Sequence, residues 1–299
     1  MKKDERGGVP VRLKCLQICT RAEEQPMSTR RDFLKEVGLG TTAFAVAGEL
    51  PQAMPGRPSS SAEAAGGQPS SIMAIAAHPG DGFFAMGAPV ALQAHGGAHA
   101  VFLSLTLGEK GSATIAPAQY GHLQREASER AAQMLKAQTE FLEYPDGELP
   151  ANEEAKFAVC DLIRKHKPGV IVTHWRGSWH KDHRACYEIV NEAIFYAGLP
   201  ALARKDPAHS VRELFFADNW EDATGFNPDT YLDITPVFEA WMQACNAFPM
   251  WRGETGFRYN DYYGSLAVER GCLSGYTKAV ALMSPPEQRT RRLHKLSGG

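Results

Sequence analysis

Ser71-Ile72-Met73-Ala74-Ile75-Ala76-Ala77-His78-Pro79-Gly80-Asp81 is the stretch on which the reading of the fold turns. Ile72 to Ala77 is a short apolar run, the length of a buried strand and too short for a helix. It stops at a polar His-Pro-Gly-Asp segment. Pro79 fixes the chain directly after the strand, and Gly80 permits a sharp turn. An imidazole and a carboxylate three residues apart on such a turn can reach one ion. Taken alone, the pair fits a hydrogen-bonded loop equally well.

Downstream, strands and helices alternate. Residues 83–94 read as a helix ended by Gly96-Gly97, and residues 100–105 as a second strand, followed by Gly108-Glu109-Lys110-Gly111. Leu123, Ala127, Ala131, Met134 and Leu135 recur on one side of an amphipathic helix over 120–137. Residues 140–144 form a third strand, followed by Pro145-Asp146-Gly147. Asn152 is placed to cap a helix running to His166. Residues 170–174 give a fourth strand and 183–196 another helix. This alternation predicts a Rossmann-like α/β fold, a mostly parallel sheet with helices on both faces. Ligands of such sheets bind outside the carboxyl ends of the strands. Three of those ends carry polar groups here: His78 with Asp81, Glu109, and the segment from His174 to His183. Beyond residue 200 the pattern is irregular and predicts no topology.

The segment Trp179-His180-Lys181-Asp182-His183 strengthens the metal reading. Two histidines three apart, with a carboxylate between them, can divide the labour. One binds an ion, the other stays free for proton transfer, and Asp182 can orient an imidazole from behind. Two histidines and one carboxylate leave an open coordination position, the pattern of catalytic zinc sites. A polar helix cap with solvated histidines is the competing interpretation of this segment. The convergence of both clusters on one edge of one sheet favours the metal.

With these residues in place, the chain resembles the PIG-L/LmbE-like family of zinc-dependent N-deacetylases. Ala77-His78-Pro79-Gly80-Asp81 and His180-Lys181-Asp182-His183 stand where the family has A-H-P-D-D and H-x-D-H. Leu105 to Gly111, Tyr144-Pro145-Asp146-Gly147 and Leu232-Asp233-Ile234-Thr235 are similar as well. The resemblance implies a hydrolase that removes acetyl from an N-acetylated amino sugar, with zinc held by His78, Asp81 and His183. It implies that His180 stabilises the oxyanion and protonates the leaving amine, with Asp182 in support. Arg125 falls near a family arginine that contacts substrate, and Trp179, next to His180, is placed to line the substrate site. The other tryptophans, Trp175, Trp220, Trp241 and Trp251, read mostly as core.

Two positions depart from the family pattern. Gly80 stands where the family has the aspartate that acts as general base. The later family histidine is missing from Ala244-Cys245-Asn246-Ala247-Phe248-Pro249. A positioned general base contributes ~10²–10⁴-fold, so its loss weakens turnover without abolishing it. Glu109, Asp146 and His180 are candidate substitutes. The alternative function is a metal-containing, glycan-binding pseudo-enzyme.

The remainder of the 299-residue chain bears on location. Ser28-Thr29-Arg30-Arg31-Asp32-Phe33-Leu34-Lys35, then a weakly apolar stretch from Val37 to Ala47 and small-residue A-x-A patterns, has the order of a twin-arginine export signal. Residues 1–50 therefore read as an N-terminal extension and signal, 51–70 as a flexible linker rich in Pro, Gly, Ser and Ala, and 71–299 as the deacetylase-like domain. The expected partners are the twin-arginine translocase and an N-acetylated sugar, in a periplasmic or extracellular setting. A net charge of -2 without a basic stripe excludes nucleic acid as a natural partner. No apolar run reaches the ~18 residues of a membrane span. Cys160, Cys186, Cys245 and Cys272 lack the paired spacing of a structural zinc site and read as small buried residues.

Overall fold

The opening strand forms as its composition requires. In a computed structural model that describes residues 70–289, Ile72–Ala76 is strand β1, and every residue in it is buried. Its side chains alternate between two cores. Ile72, Ala74 and Ala76 face one, whereas Met73 and Ile75, continued by Ala77, face the other. A strand covered on both faces has no polar side, hence the unbroken apolar run.

The remaining strands are β2 (Ala100–Thr106), β3 (Gln138–Tyr144), β4 (Val170–Thr173), β5 (Glu213–Ala217), β6 (Thr230–Asp233) and β7 (Ala279–Met283). They form one seven-stranded sheet in the order β3-β2-β1-β4-β5-β7-β6. β1 through β5 are parallel, while β7 pairs antiparallel with both β5 and β6. The expected α/β class with a mostly parallel sheet is therefore the observed one. The order reverses at β1, whose neighbours are β2 and β4, so the carboxyl end of β1 opens at the topological switch point.

Among the described residues, seven α-helices cover the sheet: α1 (Pro79–Phe84), α2 (Gly87–His95), α3 (Pro117–Met134), α4 (Glu153–His166), α5 (Lys181–Ala197), α6 (Phe238–Cys245) and α7 (Tyr259–Ser274). Asn152 caps α4 as expected, its side chain accepting from the Ala155 N–H at 2.9 Å. The expected helix over 83–94 is corrected. Helix begins at Pro79 and breaks at Ala85 and Met86, giving α1 and α2. Proline suits the first helical position, where its missing N–H has no partner to lose. Gly80 and Asp81 thus lie in a first helical turn and not in a loop, and Gly80 does not have positive φ.

The N-terminal extension, the twin-arginine motif and almost all of the linker lie outside the described residues. Among the described residues, no helix is long and apolar enough to cross a membrane. All four cysteines there are free thiols, three of them buried and Cys272 exposed.

Candidate metal centre

Four segments deliver polar groups to the carboxyl edge of the sheet: β1 into α1, the β3–α4 loop, the β4–α5 loop, and the turn after β5. The last two are fastened to each other. Trp175 Nε1–H donates to the Thr224 carbonyl at 2.9 Å, and Thr224 N–H donates to the Gly177 carbonyl at 3.0 Å. At Gly177 a Cβ would stand 1.7 Å from the Thr224 carbonyl oxygen, so no other residue allows this approach.

The segments bring the histidines together. His78 Nδ1 lies 2.9 Å from Asp81 Oδ2, and the same oxygen lies 3.1 Å from His183 Nε2. Neighbouring donor atoms of a tetrahedral zinc site, with bonds of ~2.0–2.1 Å, sit about 3.3 Å apart. Asp81 Oδ1 is engaged separately by the Asn219 amide at 3.0 Å. His183 is fully buried, and its Nδ1 donates to Asp222 Oδ1 at 2.8 Å. That bond takes up Nδ1 and leaves Nε2 facing Asp81 Oδ2. Nε2 makes no hydrogen bond, an unusual state for a buried polar atom. A histidine held by a carboxylate on one nitrogen and bare on the other is the arrangement that supports a metal ligand. His78 Nε2 likewise has no hydrogen bond, although Asp146 Oδ1 and Asp182 Oδ2 approach it to 3.3 and 3.5 Å.

Three overlapping groups of side chains could hold an ion: His78, His180 and His183; Asp81, His174 and His183; and His78, Asp146 and Asp182. Hydrogen bonding separates them. His174 is spent at both nitrogens, with Nε2 accepting from the Ala77 N–H at 3.1 Å and Nδ1 donating to Asp222 Oδ2 at 2.8 Å. Asp182 accepts from the backbone N–H groups of Gly147 and Leu149, at 2.6 and 3.4 Å. The ring atoms left uncommitted are the Nε2 atoms of His78, His180 and His183, and Asp81 Oδ2 lies between His78 Nδ1 and His183 Nε2.

The electrostatics follow from this crowding. Burial alone would lower His183, but the Asp81 charge and the bond to Asp222 raise it to about 9. Burial alone would raise Asp222, yet His174 and His183 hold it at about 2. His180 drops to about 4 through burial, reinforced by the positive charge of His78 and His183. Burial and then the Asp81 charge lift Glu221 to about 7.

Three expectations about individual residues change. Asp182 was expected to orient His180, but its carboxylate holds the Gly147–Leu149 backbone. The Asp182 backbone N–H, not its carboxylate, meets His180 Nδ1, at 3.2 Å. Arg125 is turned away from the cavity. It pairs with Glu143 and lies over the Phe141 ring, 4.2 Å from its centroid. The helical phase puts its neighbour Gln124 inside instead. Glu109 is no substitute base, because its carboxylate accepts from the Asp146 N–H at 2.8 Å and does not line the cavity. Trp179 is where expected, on the cavity wall and 64% exposed. Trp175, Trp241 and Trp251 are buried as expected, whereas Trp220 joins Trp179 at the cavity.

Asn219, Glu221 and Asp222 were not anticipated. They follow the apolar strand Leu214–Ala217 much as His78 follows β1, so the rule that placed His78 at a strand end applies to them equally. Glu221 lines the cavity, which measures about 370 Å³.

Residues 73–194 match the family described as PIG-L: GlcNAc-PI de-N-acetylase. The chain carries a PIG-L family domain. Among relatives of known activity, the diacetylchitobiose deacetylase of Thermococcus kodakarensis is 25% identical over 229 residues, covering 72% of this chain and 83% of the relative. The 4-oxalmesaconate hydratase of Pseudomonas putida is 24% identical over 210 residues, covering 67% and 80%. The fold of the PIG-L domain recurs in the crystal structure of a Pseudomonas putida 4-carboxy-2-hydroxymuconate hydratase, with TM-score 0.68, 21% identity, and 77% of this chain and 100% of that one covered. It recurs again in the N,N'-diacetylchitobiose deacetylase of Pyrococcus horikoshii, with TM-score 0.63, 19% identity, and 73% and 85% covered. Asn219, Glu221 and Asp222 lie past the residues matched to the PIG-L family, yet they complete its site.

Proposed function

We propose that the protein is a zinc-dependent amidohydrolase that removes acetyl from an N-acetylated amino sugar, with His78, Asp81 and His183 as the ligands. The observation that carries this reading is His183, whose bare Nε2 faces Asp81 Oδ2 while its Nδ1 is tied to Asp222. A bound zinc ion supplies Lewis acidity, polarising the amide carbonyl and acidifying water.

The side chains supply the remainder. His180 accepts from the Asp182 N–H at Nδ1, so its neutral ring carries a proton on Nε2. That N–H, on a cavity-lining residue, donates to the carbonyl oxygen as negative charge builds there. The leaving amine takes the proton that Glu221 removes from water, so that His180 keeps its single proton. Glu221 lines the cavity with its Oε2 3.3 Å from His183 Nε2, and its carboxylate takes the proton from water that Gly80 cannot take.

Metal analysis tests the ligand set. Purified protein should hold about one zinc per chain, and His78→Ala or His183→Ala should lose it. Full occupancy in both variants would discard the set.

A second reading is a hydratase, which also adds water at a polarised carbon. The likeness to 4-oxalmesaconate hydratase and the glycine at position 80 favour it. The cavity lining counts against it, because the substrate named for that relative is a multiply charged carboxylate and, among the described residues, no lysine or arginine lines this cavity. A binding-only role is less favoured, since His180 and Glu221 both line the cavity.

We also propose export by the twin-arginine pathway, on the strength of Arg30-Arg31 and the segment after it. Replacing both arginines by lysine should hold an uncleaved precursor in the cytoplasm, and normal export of that variant would remove the proposal.

A further inference from the structure

Gln124 sits on the inward face of α3, 3% exposed, and is part of the cavity wall. Its turn of helix is fixed by the Ser128 hydroxyl, which donates to the Gln124 carbonyl at 2.7 Å. The side-chain amide lies close to the His78 side of the cavity. Gly108, with φ of 60°, passes between them, so that a Cβ there would meet His78 Cβ at 3.4 Å and Gln124 Nε2 at 3.8 Å. Nε2–H donates to the Met250 thioether at 3.7 Å, a weak acceptor. Oε1 has no donor at all, and it is one of three orphaned buried side-chain atoms among the described residues. The other two, His78 Nε2 and His183 Nε2, belong to the metal centre. A buried amide oxygen without a donor carries a free-energy cost that an incoming donor recovers.

The charge of the cavity adds a second, independent constraint. Asp81, Asp146 and Glu221 line it, and among the described residues no lysine or arginine does. One divalent ion does not turn such a lining basic. A phosphate or carboxylate on the ligand would meet carboxylates without a basic side chain to pair with.

We infer that Gln124 is a specificity-determining residue: its Oε1 accepts a hydrogen bond from a hydroxyl or amide N–H of the ligand, and with the acidic lining it restricts the site to uncharged or cationic ligands. This rests on the amidohydrolase reading for the location of the site, and it deepens that reading by excluding phosphorylated and carboxylated sugars. Arginine at this position would invert the preference, since its guanidinium pairs with phosphate.

The test uses the full, zinc-loaded protein and two probes, N,N'-diacetylchitobiose and N-acetylglucosamine 6-phosphate. Trp179 and Trp220 line the cavity and report binding by stopped-flow fluorescence quenching, read before turnover. The neutral sugar should bind at least tenfold more tightly. Gln124→Met, which keeps the volume and removes the acceptor, should weaken it about three- to tenfold at unchanged melting temperature. Gln124→Arg should weaken the neutral sugar and strengthen the phosphorylated one by about tenfold. Equal binding of the two probes, binding of neither, preference of the native protein for the phosphorylated sugar, or an unaltered affinity in folded Gln124→Met would each overturn the inference. Acetate release plays no part in this readout. A protein that binds the neutral sugar without hydrolysing it keeps the inference and sinks the deacetylase reading.

Discussion

Gly80 is the residue where sequence and site disagree most usefully. A Cβ at this position would stand 3.2 Å from the Phe84 ring and 3.3 Å from Met250 Sδ. The space beside the histidines is therefore filled by Met250 and is not a vacant carboxylate position. The backbone is helical there, so an aspartate would meet neighbours without backbone strain. In the proposed mechanism Glu221, which approaches from the turn after β5 and lines the cavity, is the carboxylate that stands in for it. Glu221→Gln is accordingly expected to lower acetate release by ~10²–10⁴-fold, the worth of a general base, with zinc content unchanged. Gly80→Asp should do little in the native protein, because Phe84 and Met250 already fill the space its side chain would enter. A large gain from Gly80→Asp alone would show that the native protein has no working base. The ligand pattern was legible because His78 and Asp81 lie three residues apart, and His183 sits in a compact H-x-D-H. Glu221 and Asp222 were not, because their partners are 38 and more residues away along the chain. Adjacency to His180 in sequence hides the helix cap that turns the Asp182 carboxylate toward Gly147.

Elements fasten the site through their ends. α5 starts at the cap His180 and puts His183 in its first turn, so the placement of α5 sets the metal centre. Its other end is held by Arg164 of α4, a buried guanidinium without a carboxylate partner. It donates to the backbone carbonyls of Ala197, Tyr196, Leu199, Leu202 and Asp206, at 2.8–3.2 Å. Arg164→Met would leave those carbonyls without donors in a buried setting, at roughly 1–3 kcal/mol for a group so stranded. The variant should unfold at least ~3 kcal/mol more easily in urea while the KM of any surviving enzyme is unchanged. A loss below ~1 kcal/mol would mean that water replaces the guanidinium. Helix boundaries were legible where a cap residue marks them, as at Asn152. They were missed at α1, where Pro79 was taken to end a strand although it also begins a helix.

Across the whole molecule, the parallel half of the sheet, β1 to β4 with their helices, followed from strand–helix alternation alone. The second half did not, because only a short helical turn separates β5 from β6 and β7 pairs antiparallel across long connections. That half nevertheless supplies Asp222, Glu221, Trp220 and Met250, so the site is a property of the complete sheet and not of the PIG-L match over residues 73–194. Acetate release from N,N'-diacetylchitobiose measures the proposed reaction directly. Zinc-loaded protein should release acetate, chelation should abolish the release, and added zinc should restore it. Fully zinc-loaded, folded protein that releases none, or acetate release that persists after complete removal of metal, would contradict it.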